Sequence, residues 1–404
     1  MIKILLLGGS AQQIPAIECA NRKGYYTILC DYLADNPGQH YADKFYCIST
    51  TDKKAILEVA KKEKIDGIVA YASDPAAPIA AYVAGKMELP GNPYKSVCIL
   101  TDKSKFREFQ KKYGFNLPNT GYYTSIEKAI KDLPKYNLPV LVKPVDSSGS
   151  KGVGIIEKNK NICTDIIKLV LEKAFNYSRI KKIIIEEYVN MKGHQVAGDG
   201  FSVAGKLVFR CFGNDHFDST GINALVPIAA SFPYNMPEYV NNKIHSEIQR
   251  LLNLLNMNTC AYNFDIRINN NGDVFLMEIG PRNGGNYIPQ VIKYATGIDM
   301  VEYTIKAAIG ESCDSLQMIK PKGYWSYYAI HSQQAGNLIE IKIDKEIEKN
   351  YIIEKYLNYN IGDYVPSFVG SSAGLGILIM KFKNMNEMLE MMDHAEKWIE
   401  VIVE

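Results

Sequence analysis

Residues 262–287 read YNFDIRINNNGDVFLMEIGPRNGGNY, and this stretch decides how the chain is interpreted. Apolar residues alternate along its first part, residues 269–273 predict a tight turn, and residues 274–279 return as a second strand. The predicted hairpin carries two acids, Asp265 and Glu278, which the turn brings side by side. Two carboxylates in an apolar sheet are costly unless a cation holds them together. Mg²⁺ suits such a pair, so we predict a magnesium site at Asp265 and Glu278.

The loop after the hairpin, residues 280–286, contains Arg282, whose guanidinium can bind an oxyanion through two hydrogen bonds. This loop weakens the alternative that the two acids are unrelated residues on the solvent face of a hairpin. Asp265, Glu278 and Arg282 together resemble the metal-binding end of the ATP-grasp superfamily, in which an acid and a hairpin precede E-x-N-x-R. Position 280 departs from that pattern, because glycine stands where the family has an asparagine, often a third metal ligand. Asn283 or a water is then the alternative ligand.

Composition limits the classes of protein that this chain can belong to. Its 404 residues exceed one core, so we expect two to four domains. A formal net charge of +2 gives no broad field for nucleic acid or an anionic membrane. Eight scattered cysteines without a C-x-x-C pair favour reduced thiols in a cytoplasmic protein over disulfides or a cysteine zinc site. The apolar run at the start is too short for a signal peptide, and no apolar stretch approaches membrane-spanning length.

The first 95 residues alternate predicted strands and helices, which is typical of a doubly wound sheet. The turn Gly8-Gly9-Ser10 at a helix N-terminus can bind an anion. The G-x-G-x-x-G pattern is absent, however, so we do not expect a dinucleotide site there. This part of the chain resembles the domain that precedes the grasp fold in the ATP-grasp superfamily.

Three features upstream of the hairpin point to phosphate binding. A helix begins at Asp102, with Thr101 as the predicted N-cap. Lys103 lies in its first turn, where the helix dipole disfavours a cation, so an anionic partner is the alternative to a solvated lysine. Lys143 lies on the predicted strand LPVLVKP and needs a negative partner there. The Gly/Ser loop of residues 146–154 can aim N–H groups at phosphate oxygens, although it is not a Walker A loop. Together these features resemble the ATP-grasp phosphate site, and the resemblance implies that ATP is bound by Lys103, Lys143, Ser147, Ser148, Gly149, Ser150, Gly152 and Val153.

The segment KIIIEEYV, residues 182–189, predicts a strand that ends at acids, and the alternative is an edge strand with charged ends. The family resemblance implies that it lies against adenine, with contacts from Glu186, Glu187, Tyr188 and Val189. Gln195 stands where the family has a glutamate for the ribose hydroxyls; it can still donate and accept hydrogen bonds. Residues 213–223 predict a polar loop that closes over substrate, and it contains a single histidine. The candidate substrate-binding residues are Arg282, Asn283, Asn286 and His216.

The predicted fold is a multi-domain α/β and α+β protein. A doubly wound pre-ATP-grasp domain occupies residues 1–100 and an ATP-grasp domain residues 101–315. The ATP-grasp domain divides into a small lobe at about 115–188 and a large lobe at about 189–315. A small C-terminal α+β lobe occupies residues 316–404.

The implied function is an ATP- and Mg²⁺-dependent ligase that joins a carboxylate to an amine through an acyl phosphate. Arg282, with Arg267, would stabilise the developing oxyanions. One or two Mg²⁺ ions are expected, with Mn²⁺ as an alternative, and the partners are small-molecule carboxylate and amine substrates. A homodimer is left open, and neither nucleic acid nor a membrane is expected. The alternatives are a carboxylase of the biotin or purine type that uses carboxyphosphate, and a non-catalytic nucleotide-binding relative.

Overall fold

The computed structural model describes residues 1–158, 163–219 and 221–404. The N-terminal unit contains the elements β1 (Lys3–Leu7), α1 (Ile14–Arg22), β2 (Tyr26–Asp31), β3 (Lys44–Cys47), α2 (Lys53–Glu63), β4 (Gly67–Val69), α3 (Ala77–Lys86) and α4 (Tyr94–Leu100). Its four strands form a parallel sheet in the order β3-β2-β1-β4. Successive residues of β1 point to opposite faces, so Leu5 and Leu7 pack with α2 and α3 while Ile4 and Leu6 pack with α1. Helices therefore cover both faces, which confirms the predicted doubly wound unit.

A segment with a small antiparallel sheet follows. Its elements are α5 (Lys103–Lys112), β5 (Thr120–Tyr123), α6 (Ile126–Asp132), β6 (Val140–Pro144), β7 (Gly154–Ile156), α7 (Thr164–Tyr177) and β8 (Ile183–Glu187). The strand order is β5-β8-β6-β7. Because β8 is hydrogen-bonded to β5 and to β6, the alternative of an exposed edge strand there is wrong. Ile183 and Ile185 of β8 pack against Leu171 of α7, which covers this sheet.

Helix α5 begins one residue later than predicted, and its N-cap is Asp102 rather than Thr101. The Asp102 carboxylate accepts hydrogen bonds from the backbone N–H groups of Ser104 (3.0 Å) and Lys105 (3.2 Å). Thr101 instead ends α4, where its hydroxyl donates to the Val97 carbonyl at 2.9 Å. Aspartate is the better cap, because it satisfies two N–H groups and its charge faces the positive end of the helix.

The described residues of the rest of the chain contribute eleven strands. The central segment contains β9 (Val196–Val203), β10 (Lys206–Phe217), β11 (Pro227–Phe232), α8 (Glu238–Leu254), β12 (Cys260–Ile268), β13 (Val274–Gly280), α9 (Ile288–Thr296) and α10 (Met300–Ala308). The C-terminal segment contains β14 (Tyr324–Ile330), β15 (Gly336–Ile343), α11 (Lys345–Tyr351), β16 (Ile352–Leu357), β17 (Tyr364–Val365), β18 (Gly376–Phe382), α12 (Met385–Asp393) and β19 (Ile399–Val403).

Eight of these strands form one large sheet in the order β13-β12-β9-β10-β11-β14-β18-β16. Ile244 and Ile248 of α8 pack on one face against Phe264, and Val291 of α9 packs on the other. The last three strands come from beyond residue 316, so the sheet crosses the predicted domain boundary. β17, β15 and β19 form a separate small sheet. No helix in the described part of the chain is long and apolar enough to cross a membrane.

The predicted loop at residues 213–223 is wrong in its first half. β10 continues to Phe217 and pairs with β11, so that His216 lies opposite Ala229. Asn214 is fully buried, and its amide group donates to the carbonyl of Ser231 at 3.2 Å and to that of Pro233 at 3.1 Å. These polar side chains are satisfied inside the sheet, so their polarity does not indicate a solvated loop. Residue 220 of the predicted loop lies outside the described residues.

Candidate active site

One cavity lies where the small sheet, the β12–β13 hairpin and the N-terminal unit meet. Thirteen of the predicted site residues line it: Lys103, Lys143, Ser147, Ser148, Gly149, Ser150, Val153, Gln195, Asp265, Arg267, Glu278, Arg282 and Asn286. Its lining also includes Asp74, Lys151, Asn263, Tyr327 and Ser371, which the sequence reasoning did not select. The cavity is therefore built from all parts of the fold.

The two hairpin acids face each other across this cavity wall. Asp265 of β12 lies opposite Glu278 of β13, because a bulge between Asp265 and Ile266 shifts the antiparallel register by one residue from that of the pairs next to the turn. Burial, together with the negative charge of Glu278, raises the pKa of Asp265 to about 6. A divalent cation between them would relieve both effects, and carboxylate oxygens are the ligands that Mg²⁺ prefers. The residues present therefore fit a magnesium ion.

Lys103 is held against the acid pair rather than in solvent. Its ammonium lies 2.9 Å from a Glu278 oxygen and donates to the Ser147 carbonyl at 3.0 Å. Burial alone would lower the pKa of Lys103, but the charge of Glu278 raises it above its usual value. The lysine therefore remains charged at the cavity wall, beside the loop that a phosphate would contact.

Lys143 lies at the end of β6 and is paired with Glu186 of the neighbouring strand β8 at 2.9 Å. The same carboxylate accepts a hydrogen bond from Arg107 of α5 at 2.7 Å, and Arg107 also donates to the Met277 carbonyl of β13 at 2.9 Å. Burial would raise the pKa of Glu186, but the two cations lower it to about 2. Glu186, which is 1% exposed, therefore anchors Lys143 instead of contacting adenine as predicted.

The loop between β6 and β7 lines the cavity through residues 147–151. Gly149 has φ +64, and a Cβ at this position would collide with the Ser371 hydroxyl. The Gly149 carbonyl accepts a hydrogen bond from the Ser371 backbone N–H at 3.2 Å, and the Ser150 hydroxyl donates to the Leu225 carbonyl at 3.0 Å. The loop is therefore docked onto the C-terminal segment, and glycine is required at the contact.

The side chain of Gln195 links the β12–β13 hairpin to β10 through hydrogen bonds. Its amide group donates to Asp215 at 3.0 Å and to Asp265, and its carbonyl accepts from Arg267 Nε at 2.9 Å. The Arg267 guanidinium lies over the ring of Tyr188, 4.6 Å from its centroid. A glutamine suits this position because it donates to two acids and accepts from an arginine at the same time.

Arg282 projects into the cavity, and all three of its guanidinium nitrogens already have partners. Two of them bind the carboxylate of Asp74 as a fork, at 2.8 and 2.6 Å. The third donates to the Asn263 side-chain oxygen at 2.7 Å and to the Asn283 carbonyl at 3.1 Å. Burial would raise the pKa of Asp74, but the charge and hydrogen bonds of Arg282 lower it. A catalytic Arg282 must therefore exchange Asp74 for a substrate oxyanion.

Gly280 has a steric role in this arrangement. A Cβ there would lie 2.9 Å from the Asp74 carboxylate and 3.1 Å from the Arg282 guanidinium. Asn263 lies opposite Gly280 on β12 and presents its amide group at the same wall. The family pattern expects an asparagine at position 280. Here glycine leaves room for the Asp74–Arg282 ion pair, and the neighbouring strand supplies an asparagine, Asn263, instead.

Seven predicted residues do not line the cavity: Gly152, Glu186, Glu187, Tyr188, Val189, His216 and Asn283. Asn283 is buried, and its side-chain oxygen accepts a hydrogen bond from the Thr304 hydroxyl at 2.8 Å. It therefore does not serve as the third ligand of a metal held by the acid pair. The Glu187 N–H donates to the Asn119 carbonyl at 3.0 Å, so only its carbonyl is left for the predicted contact with the amine of adenine. His216 is 1% exposed and bonds to Asp393, so its predicted substrate contact is corrected.

A sequence signal existed for one of the missed residues. Asp74 follows the third predicted strand of the N-terminal unit, and the carboxyl ends of parallel strands are where ligands bind in such folds. Asn263 and Asp215 had no comparable signal, because their positions follow from strand register and not from a motif. Arg107 lies on a helix rich in charged residues, and nothing in its neighbours distinguishes it from a solvated arginine.

Comparison with known proteins assigns one part of the chain to a domain family. The ATP-grasp domain family matches residues 136–290. The N-terminal section of the carbamoyl phosphate synthase large chain from Methanopyrus kandleri is 23% identical over 291 residues, which are 68% of this chain and 49% of that protein. The chain spans less than half the length of the first such relatives that it matches.

Two solved structures share the architecture. The L-amino acid ligase from Bacillus licheniformis aligns with a TM-score of 0.80 and 17% identity over 100% of this chain and 99% of that chain. The biotin carboxylase domain of the Hydrogenobacter thermophilus 2-oxoglutarate carboxylase, in complex with MgADP and bicarbonate, aligns with a TM-score of 0.73 and 16% identity over 100% and 91% of the two chains. At these identities the likeness establishes the fold. Residues 136–290 of the chain therefore carry an ATP-grasp domain.

Proposed function

We propose that this protein is an ATP- and Mg²⁺-dependent ligase that joins a carboxylate to an amine through an acyl phosphate. The observation that carries the proposal is the opposed pair Asp265 and Glu278, surrounded in one cavity by Lys103, Lys143 and Arg282. The described residues that line this cavity include no histidine and no cysteine. Such a lining suits phosphoryl transfer, in which positioning and electrostatics supply most of the catalysis.

The chain's own residues would divide the work as follows. Asp265 and Glu278 would hold the metal, which when bound neutralises the phosphate oxygens and orients the transfer. Lys103, Lys143 and the N–H groups of the loop 147–151 would bind the phosphates. Because Lys103 and Lys143 are already paired with carboxylates, each would exchange or share a partner when the nucleotide enters.

In the proposed reaction a substrate carboxylate oxygen attacks the γ-phosphorus and ADP leaves. The amine then attacks the acyl carbon, phosphate leaves, and the amine loses a proton. Arg282 would stabilise the oxyanion of the tetrahedral intermediate once it is released from Asp74, and Arg267 would support the acid pair through Gln195. Asn286 lines the same cavity and is the remaining substrate-binding candidate.

A second candidate is a nucleotide-binding protein without turnover. It is favoured because the charged side chains of the site already pair with one another: Glu278, Asp74 and Glu186 each form an ion pair with a lysine or arginine of the protein. Such pairing would allow ATP to bind without leaving a free cation for the acyl group. Carboxylation through carboxyphosphate is a third outcome, and the fold likeness to a biotin carboxylase domain motivates its inclusion in the test.

The deciding experiment measures ADP release by the full chain with Mg²⁺-ATP and a panel of acceptors. Separate arms contain single amino acids, pairs of amino acids, other carboxylates with amines, and bicarbonate, and hydroxylamine is added to trap an acyl phosphate as a hydroxamate. Carboxylate-dependent ADP release with hydroxamate formation supports the ligase. Release that depends on bicarbonate alone overturns it in favour of the carboxylase, and nucleotide binding without release in any arm supports the non-catalytic candidate.

Two further properties belong to this proposal. All eight cysteines are free thiols in the structure, and Cys47 and Cys163 are exposed, which suits a reducing compartment such as the cytoplasm. We also propose a homodimer, since the Hydrogenobacter neighbour is described as a domain dimer. Light scattering on the purified chain tests this assembly, and a monomeric mass would contradict it.

A further inference from the structure

Two histidines and an aspartate, all residue types that can bind metals, meet outside the cavity. They lie on the far side of the backbone segments that carry Gln195 and Asp215. His194 precedes Gln195, His216 follows Asp215, and both imidazoles approach Asp393 at the end of α12. His194 Nε2 lies 3.1 Å from each oxygen of the Asp393 carboxylate, and His216 Nδ1 lies 2.6 Å from one of them. The three ligand atoms lie within 4.8 Å of one another.

The alternation of strand residues explains why this cluster is separate from the cavity. Gln195 and Asp215 turn their side chains toward the acid pair, and their amide-to-carboxylate hydrogen bond is 3.0 Å long. His216, the next residue of β10, must then point to the other face, where α12 packs, and His194 lies in the bend just before β9. None of the three cluster residues lines the cavity described above.

We propose that His194, His216 and Asp393 bind a divalent transition metal, with zinc as the expected ion. Two imidazole nitrogens and one carboxylate oxygen are a known zinc ligand set, and a water completes the fourth position. Tetrahedral zinc places its ligand atoms roughly 3.3 Å apart. The His194–Asp393 distance of 3.1 Å is close to this value, whereas the His216–Asp393 distance of 2.6 Å must lengthen and the two imidazoles must approach each other. Imidazole ligands favour zinc over magnesium, which separates this site from the acid pair.

His216 is held in a form suited to ligation. Its side chain has no exposed surface, and Nδ1 faces Asp393. Its Nε2 lies 2.8 Å from the Ser231 hydroxyl, which also accepts a hydrogen bond from Asn214 at 3.2 Å. Metal-binding histidines commonly have such a partner on the second nitrogen, because it fixes the ring and its tautomer.

The other two ligands can adjust to an ion. His194 Nδ1 is buried and has no hydrogen-bond partner among the described residues, so no hydrogen bond on that side of the ring has to break when an ion binds. Asp393 is 40% exposed and lies beside a surface cavity that includes Phe217 and Ser219. This opening provides an entry path and space for the water ligand.

The test uses the full chain after treatment with a chelator. Zinc is titrated in competition with a chromophoric chelator, and one zinc per chain is expected. Asp393→Asn and His194→Gln should each weaken zinc binding at least about tenfold, the size of effect known even for groups that only support the ligands. His394→Gln is the matched control, because His394 is the neighbouring residue and contacts Glu396 at 3.4 Å instead of the cluster. Glu278→Gln should keep the zinc, since it alters only the acid pair.

Cobalt distinguishes this site from binding by thiols. Co²⁺ at the cluster should give visible bands without the near-ultraviolet thiolate band, and the bands should persist in the Cys47→Ser, Cys163→Ser double variant. Thiolate absorption, or loss of binding in that double variant, overturns the proposal. So does a wild-type chain that takes up no zinc, in which case the cluster is a hydrogen-bonded His–Asp–His set. Asp393 lies at an exposed helix end, so its variant remains informative if a buried histidine variant fails to fold.

Discussion

At the scale of single residues, the site is organised by ion pairs that link different parts of the chain. Glu278 holds Lys103 from α5, Glu186 holds Lys143 across two strands, and Asp74 holds Arg282 across 208 positions of sequence. Breaking a buried pair by removing one partner is strongly destabilising, because it leaves a charge without compensation. Each charged side chain is thus fixed in position before any ligand arrives.

We predict that Glu278→Gln abolishes ADP release while the chain stays folded. The change removes one charge of the acid pair but conserves shape, and Asp265 also loses the repulsion that raises its pKa. Because Glu278 is 28% exposed, water can solvate Lys103 in the variant, so loss of their ion pair should not unfold the chain. Turnover should fall at least about a hundredfold, the size of effect seen when a preorganised electrostatic contact is removed. Steady-state ADP release and the melting temperature are measured together, with Glu247→Gln on the surface of α8 as the control. Normal turnover in the folded variant contradicts the metal assignment.

Arg282 and Asp74 form a pair of variants that separate catalysis from structure. If Arg282 acts on the acyl group, Arg282→Lys should lower turnover by about 10² to 10³, because lysine lacks the bidentate fork. Asp74→Asn should then keep or raise the rate, since it frees the same guanidinium.

If the ion pair is only structural, the two variants should behave alike. Both should lose melting temperature, and ATP affinity and turnover should fall together, because each breaks the same contact between the N-terminal unit and the loop after β13. We expect three measurements on both variants to distinguish the catalytic from the structural role of Arg282: turnover, nucleotide affinity by calorimetry and thermal unfolding. Normal turnover in Arg282→Lys excludes the catalytic role.

At the scale of elements, Asp199 ties β9 to the loop that carries Arg282. Its carboxylate accepts from the Gly284 N–H at 2.8 Å and from the Asn263 amide at 3.0 Å. Burial raises the pKa of Asp199 to about 7. The folded chain therefore holds a proton there that the unfolded chain releases near pH 4.

We predict a pH-dependent loss of stability from this residue. Between about pH 4 and pH 7 the folded state binds more protons than the unfolded state, so the contribution of Asp199 falls by up to about 1.4 kcal/mol for each unit that the pH rises. Asp199→Asn should lose that dependence, and its melting temperature relative to wild type should be higher at pH 7 than at pH 5. Asp52→Asn, at an exposed helix cap, serves as the control. If the melting-temperature difference between Asp199→Asn and wild type is the same at pH 5 and pH 7, the raised pKa of Asp199 is contradicted.

The docked loop between β6 and β7 gives a second prediction at this scale. Gly149→Ala should weaken ATP binding by roughly tenfold, because positive φ strains alanine by about 1–3 kcal/mol and its methyl group displaces the loop from Ser371. Gly362→Ala is the control, since Gly362 has φ +92 with open space around it. Calorimetric titration with ADP and Mg²⁺ measures both. Equal affinities in the two variants would show that the docked loop does not contribute to nucleotide binding.

At the scale of the whole molecule, the cavity joins the N-terminal unit, the small sheet and the large sheet. Asp74, Lys143, Asp265 and Ser371 each come from a different part of the chain, yet they line the same space. A ligand that contacts all of these parts should stabilise the assembled fold, because it binds the native state and not the unfolded chain.

We predict that Mg²⁺-ADP at 100 times its dissociation constant stabilises the chain by about 2.7 kcal/mol. Excess EDTA should reduce the accompanying rise in melting temperature, because the nucleotide then loses the metal held by Asp265 and Glu278. Glu278→Gln should show the reduced rise with or without EDTA. If EDTA has no effect on the wild-type shift, the nucleotide binds without the acid pair.

The sequence alone determined the local parts of this protein. It predicted the hairpin that carries Asp265 and Glu278, the strand that carries Lys143, the Gly/Ser loop after that strand and the doubly wound N-terminal unit, whereas the bulge that sets the two acids opposite each other had no sequence signal. Period-two alternation, turn residues and apolar runs are properties of neighbouring residues, so they can be interpreted without a fold. Prediction of β10 failed because Asn214, Asp215 and His216 resemble loop residues until their partners on other elements are known.

Only the tertiary structure decided which charges meet. The partner of Lys143 lies 43 positions away, that of Arg282 lies 208 away and that of His216 lies 177 away. No local pattern encodes such contacts, because they depend on strand order and on the packing of α12. That is why the sequence assigned Glu186 to adenine and His216 to substrate, whereas folding makes the first an anchor for Lys143 and joins the second to Asp393. The free energy of a buried charge depends on what surrounds it, and folding alone determines those surroundings.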